Sequence, residues 1–105
     1  MGFQGTWSDG KTALTVVTRD DGTFQGSLSL NGTAYNISSG GWHVFPNNVG
    51  TYNITADGGA IKIAATGLIV GAQYGQTPST ISIAGSVADS TSPTLSAFTA
   101  FLAKQ

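Results

Sequence analysis

Residues 5–12 read Gly-Thr-Trp-Ser-Asp-Gly-Lys-Thr, a complete G-x-x-x-x-G-K-[ST] pattern. In a phosphate loop of that pattern, the phosphates rest on backbone N–H groups at the start of a helix, and a buried strand leads into it. Only four residues precede Gly5. The segment after Lys11, Ala13-Leu14-Thr15-Val16-Val17-Thr18, alternates with period two and is rich in β-branched residues, which is strand patterning. The segment therefore reads as Gly-x-Trp in a first strand, an Asp9-Gly10 turn and a second strand. Nucleotide hydrolysis is not expected.

Other catalytic sets are sparse. His43 is the single histidine, and the chain has no cysteine and no glutamate. Acid–base catalysis needs titratable groups held together in a shielded site. Asp9, Asp21 and Asp57 each precede a glycine, where an aspartate side chain stabilises a turn. Asp20-Asp21-Gly22 lacks the spaced oxygen ligands of a calcium loop. One histidine cannot build a metal site, and no G-x-S-x-G elbow raises any serine above the rest. The expectation is no enzyme, no cofactor and no metal.

Binding chemistry is better represented. Trp42-His43 is followed closely by Asn47-Asn48. An aromatic face covers the C–H side of a sugar, and amides pair with hydroxyls as donor and acceptor. The alternative is that Trp42 plugs one end of the core and the asparagines form a turn. Tyr35-Asn36 and Tyr52-Asn53 occupy matching places in two similar segments, Gly32–Ser38 and Gly50–Thr55. They form either a polar ladder on one surface or a pair of core-facing tyrosines. Asn31, Asn36 and Asn53 satisfy the glycosylation pattern, which chance explains in a chain so rich in Asn, Ser and Thr.

These residues need a scaffold. The chain has 105 residues, enough for one domain over 1–105 with a core that needs no disulfide. Only 9% of residues are charged and the net charge is −1. Four scattered cations leave no footprint for nucleic acid or an anionic membrane. No apolar run is long enough for a spanning helix, and no basic region followed by an apolar stretch marks a signal peptide. Missing glutamate argues against exposed helix faces.

Turn pairs recur at Asp9-Gly10, Asp21-Gly22, Asn31-Gly32 and Asp57-Gly58, with looser breaks at 39–41, 46–48, 75–79 and 90–93. Between them lie alternating segments at roughly 3–8, 12–19, 23–30, 33–39, 49–56, 60–70, 79–88 and 94–103. The last is two-sided: Ser92-Pro93 reads as a helix start, while Thr94, Thr99 and the phenylalanines fit a strand. The strand is the favoured reading. Leu68-Ile69-Val70 is either buried on both sides or a subunit contact. Eight short strands with hairpin links give an all-β fold, an antiparallel eight-stranded up-and-down barrel, with a short C-terminal helix as the variant.

Gly5-Thr6-Trp7, the Asp-Gly turn, the β-branched strand and Asp21-Gly22-Thr23-Phe24-Gln25-Gly26-Ser27-Leu28 resemble the first three strands of avidin and streptavidin. Residues 94–101 are loosely similar to that family's last strand. Avidins and lipocalins also share a Gly-x-Trp packed beneath a basic residue near the C-terminus, a pattern matched by Trp7 and Lys104. The resemblance implies a calycin barrel with Trp7 and Lys104 in structural roles. It also implies a ligand other than biotin. Leu28 stands where the family carries a ligand-binding tyrosine, Thr99 aligns with its aspartate, and residues 60–105 hold no tryptophan.

The sequence thus points to a non-catalytic ligand-binding barrel for a carbohydrate or a small amphipathic molecule. Its candidate site is Trp42, His43, Asn47, Asn48, Tyr35, Tyr52 and Asn53. The alternative is a structural module that self-associates as a homo-oligomer through its sheet surface. If the phosphate-loop pattern is incidental, calorimetric titration with Mg-ATP will show no micromolar binding, and Lys11→Ala will change nothing. Binding abolished by that substitution would restore the motif.

Overall fold

The computed structural model describes residues 3–19, 21–46, 49–70 and 77–105. Eight strands run in sequence: β1 (Gly5–Ser8), β2 (Thr12–Thr18), β3 (Phe24–Leu30), β4 (Thr33–Val44), β5 (Val49–Gly58), β6 (Ile61–Val70), β7 (Thr80–Asp89) and β8 (Thr94–Lys104). Each pairs antiparallel with the next, and β1 pairs with β8, closing the barrel. The eight expected segments are all present. Residues 94–104 are strand, so the C-terminal helix variant is ruled out. Ser92 and Pro93 lie in the β7–β8 turn, and the continuous ladder from Asp89↔Thr94 to Thr80↔Ala103 outweighs their helix-start character.

Two breaks expected from glycines fall differently. Ser39-Gly40-Gly41 does not end β4. A bulge between Ile37 and Ser39 shifts the register against β5, and the strand continues to Val44. Gly40 is there for room, since a Cβ would fall 2.6 Å from the Phe24 ring. Asp57-Gly58 closes β5 rather than forming the turn, and the positive φ comes one residue later, at Gly59.

Closure is staggered. Carried in register from Ser8 through Ala13, Ser29 and Ala34 and onward, the ladder returns to β8 near Pro93, whereas Ser8 actually pairs with Ala103. That offset of about ten residues is the shear a tilted closed sheet requires. Because β1 has only four residues, it covers β8 at Ala103 and Lys104 alone. Among the described residues, Thr94–Leu102 pair with β7 on one side and with no strand on the other.

Alternation sets the core. On β5, Tyr52, Ile54 and Ala56 are buried, while Thr51, Asn53, Thr55 and Asp57 face out. Phe3 is fully buried, and its ring lies 5.1 Å from Trp7, 5.6 Å from Phe24, 5.9 Å from Trp42 and 5.2 Å from Tyr52. These are favourable aromatic spacings. The segment before β1 thereby plugs the end of the barrel where both termini lie. Trp7 is fully buried, and its indole N–H donates to the Pro78 carbonyl at 2.8 Å. Lys104 is its register partner, with its stem folded over Gly5: a Cβ there would fall 2.7 Å from Lys104 Cε.

Trp7→Ala should cost about 3–5 kcal/mol, as other buried aromatic truncations do. Urea unfolding measures this. A loss under about 1 kcal/mol would mean the plug is dispensable.

Candidate functional site

The bulge in β4 decides where the candidate residues point. Before it, Tyr35 and Ile37 face inward. The extra residue reverses the alternation, so Gly40, Trp42 and Val44 face inward after it. Trp42 and Tyr52 are register partners inside the barrel. Tyr52 is buried and donates its hydroxyl to the Ser82 carbonyl at 2.6 Å. Burial pushes its phenol well above the ordinary range, so it stays a donor. Trp42 is half-buried, and its indole nitrogen is buried with no hydrogen-bond partner among the described residues.

His43 points the other way. It is exposed and meets the Phe45 ring edge-on at 4.7 Å. The Trp42 indole and the His43 imidazole therefore lie on opposite sides of the sheet and do not converge on one ligand. Asn47 and Asn48 lie outside the described residues, as does Asp20. Asn36 and Asn53 are exposed on the outer face, opposite Asp57 and Gly41 respectively, and so stand apart along the β4–β5 ladder. Of the two readings of the Tyr-Asn pairs, the structure has the core-facing tyrosines. Leu28 is buried inside, while Thr99 faces out.

Tyr35 sits at the opposite end from Phe3. Its ring packs on β5 at Gly58, where a Cβ would fall 2.5 Å from Cδ1. Around it stand Leu30, Ile37, Ile61, Val87 and Phe98, inward-facing but only partly buried. Among the described residues, Phe3, Trp7, Phe24 and Tyr52 are fully buried at one end, while at the end of the β1–β2, β3–β4, β5–β6 and β7–β8 turns Tyr35 and its apolar neighbours keep partial solvent access. Sequence reasoning selected Tyr35 here and missed the five apolar neighbours. Their signal was present as inward positions in the turn-side half of each strand, but alternation alone does not say which end is plugged.

None of the six side chains Leu30, Tyr35, Ile37, Ile61, Val87 and Phe98 is charged; the charges at this end, Asp9, Lys11, Asp57, Lys62 and Asp89, lie in or beside its turns. Among the described residues, no three His, Cys, Asp or Glu side chains gather as a metal site needs, and no helix is long and apolar enough to cross a membrane. The aspartates work in turns. Asp9 accepts from the backbone N–H of Thr12 at 2.7 Å and Lys11 at 2.9 Å. This is the turn of the incidental phosphate-loop pattern. Asp57 pairs with Lys62 at 2.6 Å and accepts from Gly59 N–H at 2.9 Å. A comparison of the chain with protein-family models, curated proteins and solved structures finds no match.

Four carboxyls are held below their ordinary range. Asp9 is lowered by the Thr12 and Lys11 amides, and Asp21 by the Thr23 hydroxyl and amide. Asp57 is lowered by the Lys62 ammonium and the Gly59 amide, and Asp89 by the Thr91 hydroxyl and amide. A folded value below the unfolded one contributes stability above the unfolded value of 3.8, and that stability is lost as pH falls through the folded value. Thermal melts should be level from about pH 7 to 5 and decline below about pH 4. Asp21→Asn with Asp89→Asn should flatten that decline. An unchanged acid slope would remove these turns from the stability balance.

Proposed function

We propose that the protein is a non-catalytic binding barrel whose ligand enters the open end lined by Tyr35, Phe98 and their aliphatic neighbours. One observation carries this reading. Phe3, Trp7, Phe24 and Tyr52 are fully buried at one end, where Trp42 and Val44 are partly buried, whereas Tyr35 and all five apolar side chains around it are only partly buried. An apolar concavity with a few polar groups at one end of a barrel is where small ligands are held. The lining is aliphatic and aromatic with one phenol, so the ligand is a small, largely apolar molecule with a single polar group. A sugar would need several convergent amides and hydroxyls, and the lining offers few.

Fluorescence titration with anilinonaphthalene sulfonate and with medium-chain fatty acids tests this. The expected result is saturable binding, weakened about tenfold by Tyr35→Ala or Phe98→Ala with the melting temperature largely kept. Absence of binding, or binding indifferent to both substitutions, would sink the reading. A second reading, self-association through the sheet surface, is favoured by the exposure of Leu68, Val70, Leu95 and Phe101 on the outer face.

A further inference from the structure

We infer that the open edge of β8 is a self-pairing strand, through which two copies of this chain join antiparallel over residues 95–101 about a two-fold axis at Phe98. This sharpens the second reading above and does not depend on the ligand.

The backbone sets the geometry. Lys104 N–H donates to the Ser79 carbonyl at 2.8 Å, toward β7, and Gln105 N–H donates to the Thr6 carbonyl at 2.9 Å, toward β1. Successive residues of a strand turn their polar groups to opposite edges. The odd-numbered residues Leu95, Ala97, Thr99 and Phe101 therefore aim N–H and C=O at the side where β1 is missing. Such a row is a template for another strand. Two copies can satisfy each other only if odd residues meet odd residues. An axis at Phe98 does this, placing Leu95 opposite the partner's Phe101 and Ala97 opposite the partner's Thr99.

The side chains select that axis among the allowed ones. Leu95 is 80% exposed and Phe101 78% exposed, both on the outer face. The axis puts each against the other, twice, with small residues between. Phe101 also borders a groove of about 310 Å³ shared with Leu68 and Val70. The partner's Leu95 would extend that apolar patch. Natural edges avoid pairing with lysines, prolines or bulges. Residues 94–103 contain no charge and no proline, and their ladder to β7 has no register shift. A foreign strand could use the same backbone groups, but it would have no reason to present leucine and phenylalanine in inverted order. A second copy presents both.

One short strand pair buries less than a standard interface, so the dimer should be weak and concentration-dependent. Analytical ultracentrifugation from about 10 to 500 μM should show dimer growing with concentration. Thr99→Pro removes a free N–H while leaving the β7 ladder intact, because that N–H faces away from β7. Leu95→Lys and Phe101→Asp change highly exposed side chains, so they carry the test if the proline variant fails to fold. Each should raise the dimer dissociation constant at least about tenfold without moving the melting temperature. Mixing L95K with F101D should restore a heterodimer, because one side regains a charge pair and the other keeps the native contact. A wild type that stays monomeric, a dimer indifferent to these substitutions, or a mixture no tighter than either variant alone would overturn the inference. Dye binding in the same samples is read separately and should survive loss of the dimer.

Discussion

Closure of β1 onto β8 is the constraint from which the rest follows. It is made by two register pairs, Trp7 with Lys104 and Ser8 with Ala103. A closed sheet removes edges, which is the main hazard of an all-β chain. This barrel closes at one end only, because β1 is short and the shear is large. At the closed end Trp7 is anchored by Pro78, Phe3 fills the lumen, and Lys104 lies across Gly5. At the other end Tyr35, Phe98 and their aliphatic neighbours face inward but are only partly buried, and β8 runs on beyond its partner. The free edge of β8 is a result of that short strand.

The interior is specified by aromatic packing with few polar partners. Among the described residues no polar or charged residue is buried in the core, yet two buried aromatic donors are satisfied by backbone carbonyls, Trp7 by Pro78 and Tyr52 by Ser82. A buried donor without a partner costs about 1–3 kcal/mol, so these bonds fix the rings as well as stabilise them. Trp42 is the exception: its buried indole nitrogen has no partner among the described residues, while its ring lies 5.9 Å from that of Phe3.

Much of the fold was legible in the sequence because strand alternation and turn chemistry are local. The hairpin pairs at Asp9-Gly10 and Asn31-Gly32, the clean alternation of 23–30 and the spacing of eight segments each report on neighbours a few residues away. The site was less legible because it depends on non-local events. One extra residue near Ser38 moved Trp42 inside and His43 outside. A phenylalanine ring at Gly40, far away in sequence, turned an apparent break into continuous strand. The choice of plugged end rested on Phe3, which the alternating 3–8 segment puts on the Trp7 face, but alternation does not say that its ring would meet Phe24, Trp42 and Tyr52 across the lumen.

Phe98 shows how the two proposals meet. Its ring lines the mouth from the inner face of β8, and its backbone lies at the centre of the free edge. A ligand in the mouth and a second copy on the edge would therefore act on the same strand from perpendicular directions. The groups involved differ: the ligand meets even-numbered side chains pointing inward, whereas the partner strand meets odd-numbered N–H and C=O groups pointing sideways. Pairing needs no rotation of the inward side chains, and filling the mouth needs no backbone bond to break. The two events share an element but not an atom, so substitutions at Leu95 or Thr99 separate them, while a change at Phe98 touches both.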